Sequence, residues 1–492
     1  MNLLTLTHNL LIKEFDGDPD IEITNIEIDS RKISTGGLFI CLRGHNSDGH
    51  DFVREAIKNG AAAIVTEKLL SEIPQNVTLV KVPDSQRVLP ILASNFYHNP
   101  SQKLQLIGVT GTNGKTTTVH MIDKILNDNE KRCGLIGTLG MKIGDYYEET
   151  INTTPDSLDM NRHFQKIIED KGQYAVLEVS SHGLEMARVR GCDFKTVIFT
   201  NLSHDHLDFH PDIDSYKKSK ELLFSQLGNA SDAMSKTAVL NGDDEASDYY
   251  ANRTAAQILT YGIERDAHIM AKNVVTTWEG THFTVVTPWG SLPFYINTPG
   301  IYNVYNALAA ISACLIENIP LDQIKNSLEA FQGVKGRFQN IWAGQKFRAV
   351  VDYAHNPNGL SAVLKTAREI TAGRLICVMG SRGNRDRLKR PIMASIAATY
   401  SDVVIFTSDN SYAENLEQIL TDMIKGLETN PNKPYEIVMN RKQAIRQALE
   451  TAKDDDCIII TGRGHETKQV NGDCIELFSD EDVVREFLLS LR

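Results

Sequence analysis

Glycine, lysine and hydroxyl side chains stand close together in the run Gly108-Val109-Thr110-Gly111-Thr112-Asn113-Gly114-Lys115-Thr116-Thr117. The run follows an apolar stretch, residues 104–110, and opens an amphipathic one, the setting that turns a glycine-rich turn into a phosphate cradle. Glycines let backbone N–H groups close around phosphate oxygens, and the start of a helix adds a favourable partial charge. In that setting the Lys115 ammonium reaches the outer phosphates and the Thr116 hydroxyl ligates Mg²⁺. Val109 occupies the first glycine of the usual G-x-x-x-x-G-K-[ST] spacing, so the loop is a variant of that motif. A chance glycine-rich turn is the weaker reading, because strand, loop and helix fall in register.

Two further segments carry metal-binding and phosphate-binding side chains. Glu178 ends the apolar run 174–179, where a carboxylate is costly to bury unless it meets a cation. In a phosphate-loop protein Mg²⁺ is the natural cation, and an exposed strand end is the plain alternative. Residues 204–210 hold three imidazoles (His204, His206, His210) and two carboxylates (Asp205, Asp208). His-x-His spacing suits zinc, but zinc needs further ligands in a fixed geometry, and a nucleotide site accounts for the cluster without them. Loop histidines are often only solvated, so one functional histidine is expected.

These side chains need a scaffold, and the sequence supplies an alternating one. Short β-branched runs at 38–42, 62–66 and 78–82 predict strands, with a helix over 51–59 ending at Gly60. A second series lies at 104–110, 174–179 and 196–200, and a third at 347–352, 374–380, 402–407 and 457–461. Strands separated by helical stretches imply parallel sheets covered on both faces. Two alternating runs between 281 and 295 flank Pro288-Trp289-Gly290 and predict an antiparallel hairpin. Boundaries are expected near Asn99-Pro100-Ser101 and near Gly333-Val334-Lys335-Gly336. The expected architecture is α/β in three domains, 1–100, 101–336 and 337–492.

Bulk properties narrow the function classes. A chain of 492 residues is too long for one core, and its net charge of -12 offers no general attraction to nucleic acid or anionic membrane. No apolar run approaches the roughly 20 residues of a membrane span, and the N-terminus lacks the basic and apolar regions of a signal peptide. Seven cysteines, odd in number and without a C-x-x-C pair, fit a reducing cytoplasm.

With those residues in view the chain resembles the muramyl (Mur) ligase family, which builds the peptide of bacterial cell-wall precursors. The likeness is carried by Thr110 to Thr116, the Glu178 strand, Asn201 to His210, Asn303 to Asn306, Gly336-Arg337, Asp352 to Pro357 and Asn384 to Pro391. It covers essentially the whole chain, with the motifs in order. Asn152-Thr153-Thr154-Pro155 and Gly462-Arg463-Gly464-His465-Glu466 resemble the branch that adds the third residue of the peptide.

The resemblance implies an N-terminal UDP-sugar-binding domain, a central phosphate-loop ATPase-like domain with a mainly parallel sheet, and a C-terminal Rossmann-like domain that takes the amino acid. It also implies a reaction: the D-Glu carboxylate of UDP-MurNAc-L-Ala-D-Glu attacks ATP, and the acyl phosphate then meets an incoming amine. By resemblance Ser30, Thr153, Thr154, Ser180 and Arg188 hold the UDP-sugar peptide. Gly111, Thr112, Asn113, Gly114, Lys115, Thr116 and Thr117, with Asn303, Arg337, Asp352 and His355, serve the nucleotide. Lys115, Glu178, His206 and Lys220 are the implied catalytic set. Thr116, Glu178, His206 and Lys220 serve Mg²⁺, Lys220 as a CO₂-derived carbamate. Arg390, Asp409, Asn410, Gly462 and Glu466 are implied for the amino acid. Small-molecule substrates and a cytoplasmic monomer complete the expectation.

The match departs from the family at four positions. Ser411 and Tyr412 stand where diaminopimelate-adding relatives often have proline and arginine, and a tyrosine hydroxyl cannot replace a bidentate guanidinium. Lysine or another amino acid therefore stays open beside diaminopimelate. Met186 and Lys335 replace a frequent glutamine and a frequent proline. A relative with another acceptor and a non-catalytic nucleotide-binding homologue are the competing readings. Retention of Lys115, Glu178, His206, Lys220, Arg337 and Asp352 argues against the second.

Overall fold

Continuous apolar runs become strands buried on both faces, and the run at Cys457–Ile460 shows why. Cys457 and Ile459 pack into one core with Cys377, Met379, Val404 and Phe406. Ile458 and Ile460 point the other way and pack with Ala349, Val351, Ile376 and Val378. A strand whose alternate residues meet helices on opposite sides has no polar face to keep, so its sequence is apolar throughout.

A computed structural model describes the chain apart from residues 45–46, 71–72, 230–235, 430–431 and 491–492. The chain divides into two units. The first comprises Met1–Thr110, Glu130–Val197 and Leu222–Thr237; the second comprises Gly111–Asn129, Ile198–Glu221 and Ala238–Arg492.

In the first unit the N-terminal sheet runs in the order Glu14–Asp16, Thr78–Lys81, Ala61–Thr66, Gly37–Ile40, Ile26–Glu27. Its strands are parallel except the first. A second set of strands runs Gln105–Thr110, Tyr174–Glu178, Cys133–Gly137, Gly140–Ile143, Tyr146–Glu148. The first two pairings are parallel and the last two antiparallel. Glu178 is the last residue of its strand and is 1% exposed.

In the second unit Thr281–Thr287 and Gly290–Ile296 form the expected antiparallel hairpin, with Thr287 opposite Gly290 across Pro288-Trp289. A further sheet runs Gln339–Asn340, Arg348–Val351, Cys457–Ile460, Leu375–Met379, Val403–Phe406, Tyr435–Ile437. It is parallel from Arg348–Val351 onward. The carboxyl ends of its strands deliver Asp352, Gly462, Gly380 and Asp409 to one edge, where open α/β sheets bind ligands. A buried ion pair braces that edge: Arg441 and Asp480 meet at 2.7 and 2.8 Å. The same guanidinium donates to Ser408 O and Thr461 O. The α/β class with mainly parallel sheets is as expected. Among the described residues no helix is long and apolar enough to cross a membrane.

Candidate active site

The helix Lys115–Asp128 starts at Gly114, which has no side chain to cap it. Gly114 has φ 89° and Gly111 has φ 146°. A Cβ on Gly114 would overlap Asn306 Oδ1, and one on Gly111 would overlap Thr200 Oγ1. The loop is therefore held by its neighbours as well as by its own conformation. Thr112 N donates to Asn201 O at 2.8 Å and Asn113 N to Asn201 Oδ1 at 3.0 Å. Thr200 Oγ1 donates to Asn113 O at 2.7 Å. Lys115 Nζ folds back onto the carbonyls of Gly111 and Thr112, both at 2.9 Å. Thr117 is buried one turn into the helix.

Lys220 approaches the same loop from the helix Ile213–Ser225 and donates to Gly111 O at 3.0 Å. It is 1% exposed and lies 4.4 Å from the Tyr216 ring centroid. Burial, and then the charge of Lys115, pulls its pKa well below the usual lysine value. Burial likewise lowers the His206 pKa to about 4, so its imidazole is neutral at physiological pH.

Asp205, next to His206, ties these groups to the sheet edge. Its Oδ2 accepts from Asn356 Nδ2 at 2.9 Å and lies 3.8 Å from both His206 Nε2 and His355 Nε2. Burial alone would raise its pKa, but His206, His355, Lys389 and the Asn356 bond together hold the carboxyl well below the ordinary range. Asn356 Nδ2 also donates to Asn113 Oδ1 at 3.0 Å. Asp205, Asn201, Tyr216 and Asn356 were not among the expected site residues. The only signal for Asp205 was its place between two histidines.

Arg337 Nη2 donates to Thr116 Oγ1 at 3.0 Å, and its guanidinium stacks 4.3 Å from the Tyr353 ring centroid. Asp352 accepts from Phe338 N and Ala354 N, both at 2.6 Å. Its burial raises the carboxyl pKa. Asn303, on the helix Ile301–Ile316, donates to Pro299 O and accepts from Asn306, which also meets Thr118.

Of the residues expected at the amino acid, four gather at the sheet edge. Asn410 Nδ2 donates to Glu466 Oε2 at 3.1 Å, and Gly462 (φ 104°) lies against Asp409. Arg382, which was not foreseen, pairs with Glu466. Arg390 does not join them: it is 0% exposed and grips Glu414 bidentately at 2.7 and 2.8 Å.

In the first unit Glu178 Oε1 accepts from Thr138 N at 2.8 Å and Oε2 from Thr138 Oγ1 at 3.1 Å. Thr138 Oγ1 lies 3.1 Å from Thr153 Oγ1. Thr154 Oγ1 donates to Glu178 O and lies 3.1 Å from Ser180 Oγ. Arg188 donates to Thr154 O at 2.9 Å and to Met186 Sδ. Four of the five residues expected at the UDP-sugar thus share one network, whereas Ser30 bonds Glu55 and Asn59.

Burial also sets a pH dependence. His465 is held neutral, its pKa lowered to about 3 by burial and by Arg337, Arg382, Lys335 and His120. The unfolded chain takes up that proton near pH 6.5 and the folded chain does not, so stability is lost as pH falls below about 6.5. Melting temperatures are expected to fall between pH 6.5 and 5, and less steeply in His465→Gln. An equal slope in the variant would count against this account.

The phosphate loop at an uncapped helix start, set beside a parallel sheet edge, defines a nucleotide-binding α/β protein. Residues 22–97 match the Mur ligase family catalytic domain, 109–314 the Mur ligase middle domain, and 336–464 the Mur ligase glutamate ligase domain. The chain is 47% identical over 466 residues to the UDP-N-acetylmuramoyl-L-alanyl-D-glutamate–2,6-diaminopimelate ligase of Bacillus cereus, covering 94% of each chain. A solved structure of a ligase of that same name superposes with a TM-score of 0.69 at 30% identity, over 100% of this chain and 99% of the other. The MurF ligase of Thermotoga maritima, solved in complex with ADP, shares the fold, with a TM-score of 0.68 at 18% identity over 95% and 97% of the two chains. The chain belongs to the Mur ligase family.

Proposed function

We propose that this chain uses ATP to activate the D-glutamyl carboxylate of UDP-MurNAc-L-Ala-D-Glu and joins it to a diamino acid, diaminopimelate in the first instance. The observation that carries the reading is the convergence of Lys115 and the buried Lys220 on the Gly111 carbonyl at an uncapped helix start. The name of a relative 47% identical over nearly the whole chain supplies the substrates.

In this reading Lys115 and the loop from Gly111 to Thr117 hold the ATP phosphates, with the N–H groups of Thr112 and Asn113 staying on Asn201 to fix the loop. Asn303, Arg337, Asp352 and His355 complete the nucleotide site. The substrate carboxylate attacks the γ-phosphorus, the bond to the β-phosphate oxygen breaks and ADP leaves, and Lys115 offsets charge on the transferring phosphoryl oxygens. The amine of the amino acid then attacks the acyl carbon, releasing phosphate. Water must stay out meanwhile, because acyl phosphates hydrolyse readily.

The side chains suit Mg²⁺, which supplies Lewis-acid neutralisation of phosphate charge when bound. Thr116 brings a hydroxyl and His206 a neutral imidazole. Lys220, buried with a lowered pKa, is suited to react with CO₂ and become an oxygen ligand. Glu178 keeps the metal role that the resemblance gives it.

Residues 1–100 serve the UDP-sugar together with Thr153, Thr154, Ser180 and Arg188. Residues 101–336 serve ATP. Residues 337–492 serve the amino acid through Asp409, Asn410, Gly462 and Glu466, with Arg390 bracing Glu414. The seven cysteines, odd in number and without a C-x-x-C pair, support a reducing cytoplasm, and a monomer suffices for the reaction.

The test is phosphate release from ATP with UDP-MurNAc-L-Ala-D-Glu across meso-diaminopimelate, L-lysine, L-ornithine and small neutral amino acids. Release dependent on one diamino acid is expected. Release with none, while ATP still binds, would remove the substrate assignment.

A further inference from the structure

Arg382 enters the amino-acid end of the second unit with a hydrogen-bonding atom still unused. Its Nη2 donates to Glu466 Oε1 and lies 3.5 Å from the Tyr353 hydroxyl. Its Nε is buried and meets no hydrogen-bond acceptor among the described residues. Asp409 Oδ1 lies 3.8 Å from that nitrogen, beyond hydrogen-bond range, and already accepts from Asn410 N at 2.6 Å. An unmade bond on a buried cation is costly, so this edge of the guanidinium suits an anion that arrives from outside.

The Nε atoms of Arg390 and Arg463 are likewise buried without an acceptor among the described residues, but neither side chain can be reached from outside. Arg390 and Arg463 are both 0% exposed. The Nη atoms of Arg390 are taken by Glu414, Asp422 and Arg382 O. Those of Arg463 are taken by Asn410 and Lys468 O. Arg382 keeps 15% of its side-chain surface and Glu466 keeps 20%, enough for a small ligand to reach both.

We infer that Arg382, side by side with Glu466, recognises the non-reacting end of the incoming amino acid, and that this end carries a carboxylate next to its ammonium. The inference rests on the ligase reading above and names the specificity determinant within it. The reacting amine must be an unprotonated nucleophile, and a carboxylate held against it would keep it protonated. Glu466 therefore suits the end that does not react. There it takes the ammonium, while the Nε edge of Arg382 takes the carboxylate. A diamino dicarboxylate satisfies both partners. Lysine brings only the distal ammonium and leaves Arg382 Nε without an acceptor. Tyr412 adds a hydroxyl to this segment but no cation, so the discrimination falls to Arg382.

The experiment measures kcat/KM for meso-diaminopimelate and for L-lysine in the full chain, in Arg382→Gln and in Arg382→Lys, with melting temperatures alongside. The ratio of the two values is expected to favour diaminopimelate in the parent. In Arg382→Gln it should fall by about tenfold or more. Arg382→Lys should recover little of it, because an ammonium lacks the planar fork. A ratio that rises in Arg382→Gln would show that Arg382 plugs the site, overturning the inference. So would an unchanged ratio with both values falling together, the mark of a structural role. A parent that prefers lysine overturns the inference and leaves the ligase reading standing. A parent that turns over no amino acid overturns both.

Discussion

Lys115→Ala is expected to lower kcat roughly a thousandfold or more, a loss of about 4 kcal/mol in transition-state stabilisation. In the present structure the ammonium lies 2.9 Å from two loop carbonyls, Gly111 O and Thr112 O. Those contacts hold the charge at the helix start before any phosphate arrives, so little reorganisation is needed when one does. Charge on the transferring phosphoryl group then meets a cation already in place, where electrostatic stabilisation is most effective. Lys115→Arg is expected to fare little better, because a planar fork cannot repeat the two carbonyl contacts made by one nitrogen. Steady-state phosphate release measures kcat, and calorimetric titration with ADP shows whether the loop still forms. Retention of more than about a tenth of the parent kcat by Lys115→Ala would remove the lysine from the chemistry.

The phosphate loop was legible because its information is local: the glycines, the lysine and the following helix lie within one short run. The β-branched strands and the hairpin Thr281–Thr287/Gly290–Ile296 with its two-residue turn were legible for the same reason, whereas Cys133–Gly137, Thr237–Asn241, Gln257–Gly262 and Ile269–Thr276 were not read. Other hairpins escaped notice, among them Gly140–Ile143/Tyr146–Glu148 and Lys468–Asn471/Cys474–Leu477. Both turn on Gly-Asp, a recognised signal, but their strands are short and the second has an exposed, mixed strand that hides the alternation. What local reading could not supply was pairing at long range. Asp205 gains its place from Asn356, 151 residues away in sequence. Arg382 gains its place from Glu466, 84 residues away. Arg390 was expected at the amino acid from its position in a motif, yet its guanidinium is committed to Glu414, a partner 24 residues on that no local pattern announces.

Lys220→Arg is expected to abolish turnover as thoroughly as Lys220→Met, roughly a thousandfold in kcat, while ATP binding changes little. The two variants separate charge from chemistry. Arginine keeps a cation but has no amine able to take up CO₂ at neutral pH. In the parent, burial and Lys115 shift Lys220 toward its neutral form at a pH where an ordinary lysine is fully protonated. In the proposed carbamylation a neutral amine attacks CO₂, a C–N bond forms, one proton leaves, and the side chain gains an anionic acceptor. Nζ keeps one N–H for the Gly111 carbonyl it meets at 3.0 Å, but the two new oxygens are anionic acceptors with no partner in that carbonyl. The carbamate must turn to a cation, and Thr116 and His206 offer further ligands for Mg²⁺. Lower pH protonates the amine and should reduce carbamate occupancy. Stripping bicarbonate should lower parent activity, and adding it back should restore it. Labelling with ¹³C-bicarbonate should give a carbamate carbon resonance in the parent that is missing from Lys220→Arg. A parent without that resonance, or a Lys220→Arg enzyme with more than about a tenth of parental kcat, would leave Lys220 as a buried amine that shapes the loop and nothing more.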